Sequence, residues 1–132
     1  MSAGGGGRQQ LEKLSEQIEE LEEQRQQLQS AIEGLREEKA EIDEAIEGLE
    51  LLETDSTIQV PVGGDAYVRA TVEDIEEVVV SLGGGYAAER DRDSAIGTLE
   101  RKQDDLDDRI EELQGEIEEI SEESARLEQQ AQ

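Results

Sequence analysis

Apolar residues return at intervals of three and four along two long stretches of this chain, separated by a shorter stretch in which they alternate. Counting in sevens from Leu11, one column holds Leu11, Ile18, Arg25, Ile32, Lys39 and Ile46, and a second holds Leu14, Leu21, Leu28, Leu35, Ile42 and Leu49. An apolar period of about 3.5 residues kept up for this long marks a coiled-coil helix. The Glu, Gln and Arg that fill the other positions are strong helix formers. The pattern stops near Glu53, at Thr54-Asp55-Ser56, and returns past residue 90. There the columns are Ile96, Gln103, Ile110, Ile117, Ser124 and Ala131, and Leu99, Leu106, Leu113, Ile120 and Leu127. Asp91 stands where its carboxylate can cap the first free amides of this second helix, and Asp93 adds negative charge to the same dipole end.

Between the helices the period changes to two. In Thr57–Val62 (TIQVPV), Ile58, Val60 and Val62 share one strand face; in Ala66–Val72 (AYVRATV), Val68, Ala70 and Val72 oppose Tyr67, Arg69 and Thr71. Gly63-Gly64-Asp65 between them reads as a turn, which makes the pair a hairpin. An acidic link, Glu73–Glu77, leads to Val78–Leu82 (VVVSL), the turn Gly83-Gly84-Gly85 and a returning strand at Tyr86–Glu89. Pro61 cannot donate to a ladder, which restricts its strand to an edge or a bulge. Two small hairpins bury too little to stand alone and would leave edges open, so pairing with other chains is expected. The surface for that pairing is Val60, Val62, Tyr67, Val68, Val72, Val78, Val80, Leu82 and Tyr86.

The expected layout is a mainly α chain: a flexible Gly-rich tail (1–7), a first coiled-coil helix (8–53), a double-hairpin segment (54–90) and a second coiled-coil helix (91–132). A reversal between two helices of similar length lets their seams zip in antiparallel fashion. Arg25 and Lys39 interrupt the first apolar column, where long polar side chains commonly fix register. Gly34, Gly48, Gly97 and Gly115 fall outside the columns.

Composition sharpens this picture. Only 33% of residues are hydrophobic and 2% aromatic, so what is buried is a narrow seam or a shared interface. The formal charge is −25, from 37 acids and 12 bases. Nucleic acid and anionic membranes both depend on clustered Lys and Arg, so neither is an expected partner. Only Lys13, Lys39 and Lys102 represent lysine. An acid excess with scarce lysine suits a salt-saturated cytoplasm, where the Debye length shrinks to about 3 Å at 1 M. The opening MSAGGGG lacks the layout of a signal peptide and no apolar run suits a membrane span, which points to the cytoplasm.

Nothing in the chain suggests catalysis, a cofactor or a metal. There is no Cys and no His, which removes thiolate and imidazole chemistry. The glycine triplet lacks the Lys and Ser or Thr of a phosphate loop, so its glycines read as turn residues. Asp91-Arg92-Asp93 opens like a calcium loop, but Ala95 and Ile96 occupy positions that need a ligand and a Gly. The carboxylates of Asp104-Asp105 and Asp107-Asp108 are solvated charge on a helix face unless a dry pocket shifts them.

The middle segment resembles one family. VPVGGDAYVRATV followed by VVVSLGGGYAAERDR, flanked by coiled-coil helices, is similar to the alpha-type subunit of archaeal prefoldin; the specific part runs from Thr57 to Ile96. Two hairpins, where the beta-type subunit has one, favour the alpha type. The resemblance implies a hexamer of two alpha and four beta subunits, its hairpins assembled into intersubunit β-barrels with coiled coils hanging from them. It implies a holdase that works without ATP, binds unfolded polypeptides near the free coiled-coil ends and passes them to a group II chaperonin. Carried onto this chain, the client contacts are Leu11, Leu14, Ile18, Ile120 and Leu127. The alternative is a coiled-coil scaffold or assembly subunit that binds no clients.

Overall fold

The computed structural model describes residues 2–132, with side chains from Gly6 onward. Element order is α1 (Ser2–Leu51), β1 (Thr57–Gly63), β2 (Ala66–Thr71), β3 (Val78–Gly83), β4 (Tyr86–Arg90) and α2 (Arg92–Ala131). The chain divides into two compact units, one taking the residues to Glu38 with Leu106–Gln132, the other Lys39–Asp105.

In the first unit α1 and α2 lie antiparallel along the expected seam. Ile32 is 2% exposed and packs with Ile110 and Leu113, with Leu28, Leu35 and Ile117 closing around them. Every seam position in this unit is at least half-buried except Leu11, which is 48% exposed. Arg25 does not cross the seam. Its guanidinium turns back along α1 to Glu22, with bonds of 3.0 and 2.5 Å. That hydrogen bond holds the Glu22 carboxyl below its usual range and raises Arg25.

One expectation changes at the N-terminus. The Gly-rich segment expected as a flexible tail is helical from Ser2. Glycine disfavours a helix by about 1 kcal/mol each against Ala, so this is the intrinsically weakest stretch of α1. Added Cβ atoms at Gly6 and Gly7 would meet nothing within 4 Å, so the ladder simply runs on. Met1 lies outside the described residues.

In the second unit the seam continues with Ile42, Ile46 and Leu49 of α1 and Ile96, Leu99 and Gln103 of α2, all at least half-buried. Here a polar residue does bridge the helices: the Gln103 amide donates to the Lys39 carbonyl (3.3 Å) and to Asp43 Oδ1 (2.5 Å). Gly34 and Gly115 are exposed, whereas Gly48 and Gly97 are half-buried. Crowding around the hairpins explains the difference, for Gly48 borders β3 and Gly97 lies under the Arg101 guanidinium.

The hairpins are two separate antiparallel sheets, β1–β2 and β3–β4, built alike. Each has a register shift just before its turn, between Pro61 and Gly63 and between Ser81 and Gly83. Pro61 thus sits at an irregularity in a strand that is also an edge, where its missing N–H does least harm. The turns pair positive φ values at Gly64 (58°) with Asp65 (62°) and at Gly84 (60°) with Gly85 (81°). This is the twist that two-residue hairpin loops require.

A small polar knot ties the hairpins to the helix ends. Arg92 Nη2 donates to the Leu52 carbonyl at 2.6 Å, capping the chain just past α1. Ile75 N–H donates to Thr54 Oγ1, and the Ser56 carbonyl accepts from Val72 N–H. Asp91 accepts the Ser94 amide at 2.7 Å, as an N-cap does. That bond holds the Asp91 carboxyl below the usual carboxylate range.

Candidate functional site: assembly and client surfaces

The nine residues expected to carry assembly divide by exposure. Val60, Val62, Tyr67, Val68, Leu82 and Tyr86 are all exposed, Tyr86 at 75%. Val72 and Val78 are half-buried, and Val80 is 5% exposed within its own chain. Strand geometry explains the spread. Val60 pairs with Val68 and Val80 with Ala88, so both are on equivalent faces of their hairpins, but β3 lies against a groove lined by Leu49, Leu52 and Leu99. The same phase that turns Val80 inward turns Val79 out, to 71% exposure.

Val79 is one of two apolar side chains that sequence reasoning passed over. The other is Leu51, the most exposed large apolar side chain among the described residues at 82%. The run Leu49-Glu50-Leu51-Leu52 carried a signal, because Leu51 belongs to neither heptad column. Together with the exposed hairpin residues, these side chains give the second unit far more uncovered apolar surface than scattered single residues would. Neither sheet has more than two strands, so every strand also presents an open edge.

Of the five expected client contacts, Leu11 is exposed while Leu14, Ile18, Ile120 and Leu127 are half-buried seam residues. Two shallow grooves flank Ile120: one is lined by Gln24, Gln27, Leu28, Glu116 and Glu119, the other by Leu21, Arg25, Ser124 and Ala125. At this end the α2 columns hold small and polar residues, Ser124 and Ala131, both half-buried. The glycine triplet is a hairpin turn and Asp91 a helix cap, so the geometry gives both a structural use. Among the described residues, no three Asp or Glu side chains are grouped to hold a metal ion, and no helix is long and apolar enough to cross a membrane.

Comparison with known proteins agrees with the arrangement. A family model described as prefoldin subunit matches residues 8–132. A prefoldin subunit alpha of Halobacterium salinarum is 56% identical over 113 residues, covering 86% of this chain and 73% of that one. A prefoldin subunit alpha of Haloarcula marismortui is 63% identical over 71 residues, covering 54% of this chain and 46% of the relative, less than half of its length. The cryo-EM structure of filamentous PFD from Methanocaldococcus jannaschii aligns with a TM-score of 0.59 at 28% identity, covering 90% of this chain and 95% of that one. The acid excess fits the halophilic sources of the first two relatives. With the helix, double hairpin and helix in place, the chain belongs to the prefoldin family, and within it is similar to the alpha-type subunits of haloarchaea.

Proposed function

We propose that the chain is an assembly subunit of a cytoplasmic, ATP-independent holdase that binds unfolded polypeptides and hands them to a group II chaperonin. Family membership supports the general chaperone role, and prefoldin subunits assemble with one another. The finer reading is a hexamer of two such chains with four beta-type subunits and no catalytic step. The observation that carries it is the pair of two-stranded sheets with uncovered Val62, Tyr67, Val68, Leu82 and Tyr86. Sheets this small gain stability by adding strands or by packing against a helix, and these side chains are left uncovered by the helices of their own chain. Weak client contacts from several coiled-coil ends would then add through effective concentration.

The test is the aggregation of a chemically denatured protein, followed by light scattering at high salt with the beta-type subunit present and nucleotide absent. Suppression at stoichiometric complex is the expected result; undiminished aggregation would sink the holdase reading.

A self-assembling scaffold without clients is the second reading. It is favoured by the likeness to a filamentous PFD and by the seam placement of four of the five expected client contacts. Native mass of the chain alone separates the two: long homopolymers favour the scaffold, and a defined complex formed only with a beta-type partner favours the holdase.

A further inference from the structure

Beside the second hairpin lies a cleft whose charge runs against the rest of the chain. It is lined by Leu82, Arg90, Thr98, Arg101, Lys102, Asp104 and Asp105, three bases to two acids. Acids outnumber bases 37 to 12 in this protein, so a cation here should readily find a carboxylate. Among the described residues, however, no ion pair within 4 Å joins Arg90, Arg101 or Lys102 to a carboxylate, although the charge of Arg90, after the Ser94 amide, helps hold Asp91 low.

Arg101 is held in place by other means. Thr98 is buried, its hydroxyl donates to the Ser94 carbonyl at 3.0 Å, and it accepts from Arg101 Nη2 at 3.1 Å. The guanidinium folds back over Gly97, where an added Cβ would stand 3.7 Å from Nη1. Both contacts lie along one helix and orient the exposed guanidinium. Lys102 also lines the neighbouring groove, whose other walls include Ala45, Leu49, Leu52 and Val79. A basic cleft and an apolar groove therefore adjoin at one lysine, and both border the exposed apolar surface of β3.

We propose that Arg90, Arg101 and Lys102 form a carboxylate-reading patch that docks an acidic, amphipathic segment of a neighbouring subunit and so helps select the partner. Its apolar side chains would seat on Leu49, Leu52 and Val79 while its carboxylates meet the three cations. Pairs set in a cleft are screened by salt less than pairs on an open surface, so such recognition can operate where exposed charges are muted. The proposal rests on the assembly reading above.

The test uses the full chain, isotopically labelled, in complex with an unlabelled beta-type subunit. A zero-length carbodiimide joins a lysine amine to a carboxylate in contact with it. Lys102 is expected to link to an Asp or Glu of the other chain. Reversing charge with Arg101→Glu and Lys102→Glu should weaken the complex by about ten-fold or more, as loss of close interfacial charge pairs does, while Arg101→Lys retains most of the affinity. A complex that forms normally, with Lys102 linked only within its own chain and affinity unchanged within about two-fold on reversal, overturns the patch and leaves assembly standing. Failure to form any complex overturns both.

Discussion

Replacing Ile32 by Ala tests whether the stability of the first unit is concentrated at one point of the seam. Ile32 is 2% exposed and sits among Ile110, Leu113, Leu28, Leu35 and Ile117. Truncation removes three buried carbons, which at roughly 0.8 kcal/mol each forfeits about 2.4 kcal/mol of transfer free energy. The cavity left behind adds to this, for a total of about 3 kcal/mol. That is the lower half of the usual span for such changes, because a seam one layer thick can close partly around the gap.

Leu11 is the internal control. At 48% exposure it has about half of its transfer term to lose and no enclosing cavity, so Leu11→Ala should cost about 1 kcal/mol or less. For a chain of this size each kcal/mol moves the melting midpoint by roughly 3–5 °C. Thermal unfolding followed by the helical circular-dichroism signal should therefore show a drop of about 9–15 °C for Ile32→Ala and under about 5 °C for Leu11→Ala. The two must be compared at the same salt and the same assembly state. Equal shifts would mean that the seam shares its load evenly, and the reasoning would fail.

Other consequences can be checked separately. Gln103→Ala removes the cross-helix bonds to Lys39 and Asp43 and should cost about 1 kcal/mol; a cycle with Asp43→Ala should show coupling of at least about 0.5 kcal/mol, and strict additivity would refute the bridge. Gly63→Ala should loosen the first hairpin more than Gly64→Ala although space is open at both, because φ is 107° at Gly63 and 58° at Gly64; the latter lies in the left-handed well that an L-residue enters at a cost of about 1–2 kcal/mol, and amide exchange at Val60 and Val68 reads the difference. Asp91→Ala should lower the midpoint at neutral pH. Because the folded carboxyl is depressed by the Ser94 amide, its contribution is present above the unfolded pKa and lost as pH falls through the folded one, so the gap to the parent chain should narrow in acid; a gap that widens would contradict the cap. Raising salt from about 0.1 to about 1 M, which shortens screening from about 10 to about 3 Å, should raise the midpoint of this acidic chain.

The start of α1, at Ser2 where a tail to residue 7 was expected, was not legible, but the strands and turns were, because each rests on local chemistry. The heptad columns depend on side-chain period alone, and the hairpin turns on glycines whose positive φ the backbone demands. The Asp91 cap was equally local. What escaped sequence reasoning depends on which side of an element meets something else. Val79 and Val80 are adjacent in one apolar run, yet one is exposed and the other buried, and only the groove under β3 decides between them. Polar bridging escaped for the same reason. Arg25 and Lys39 drew attention as charged seam residues, but Arg25 pairs along its own helix while neutral Gln103 reaches across. Reach and partner position settle that choice, and neither is written in the heptad pattern.

The distribution of charge between strands and helices bears on why such an acidic chain can assemble at all. β1 (TIQVPVG) and β3 (VVVSLG) contain no charged residue, in a protein with 37% charged residues. Exposed edge strands are ordinarily protected from sticking by charge, and lysine is the favoured guard. Here that guard is missing from one strand of each hairpin, while β2 carries Arg69 and β4 carries Glu89 and Arg90. Repulsion from a net charge of −25 would keep copies apart at low salt. At high salt that barrier shrinks, while apolar surfaces associate more strongly as salts are excluded from them. The same concentrated salt that makes the acidic helices tolerable would therefore favour contact between unguarded strands.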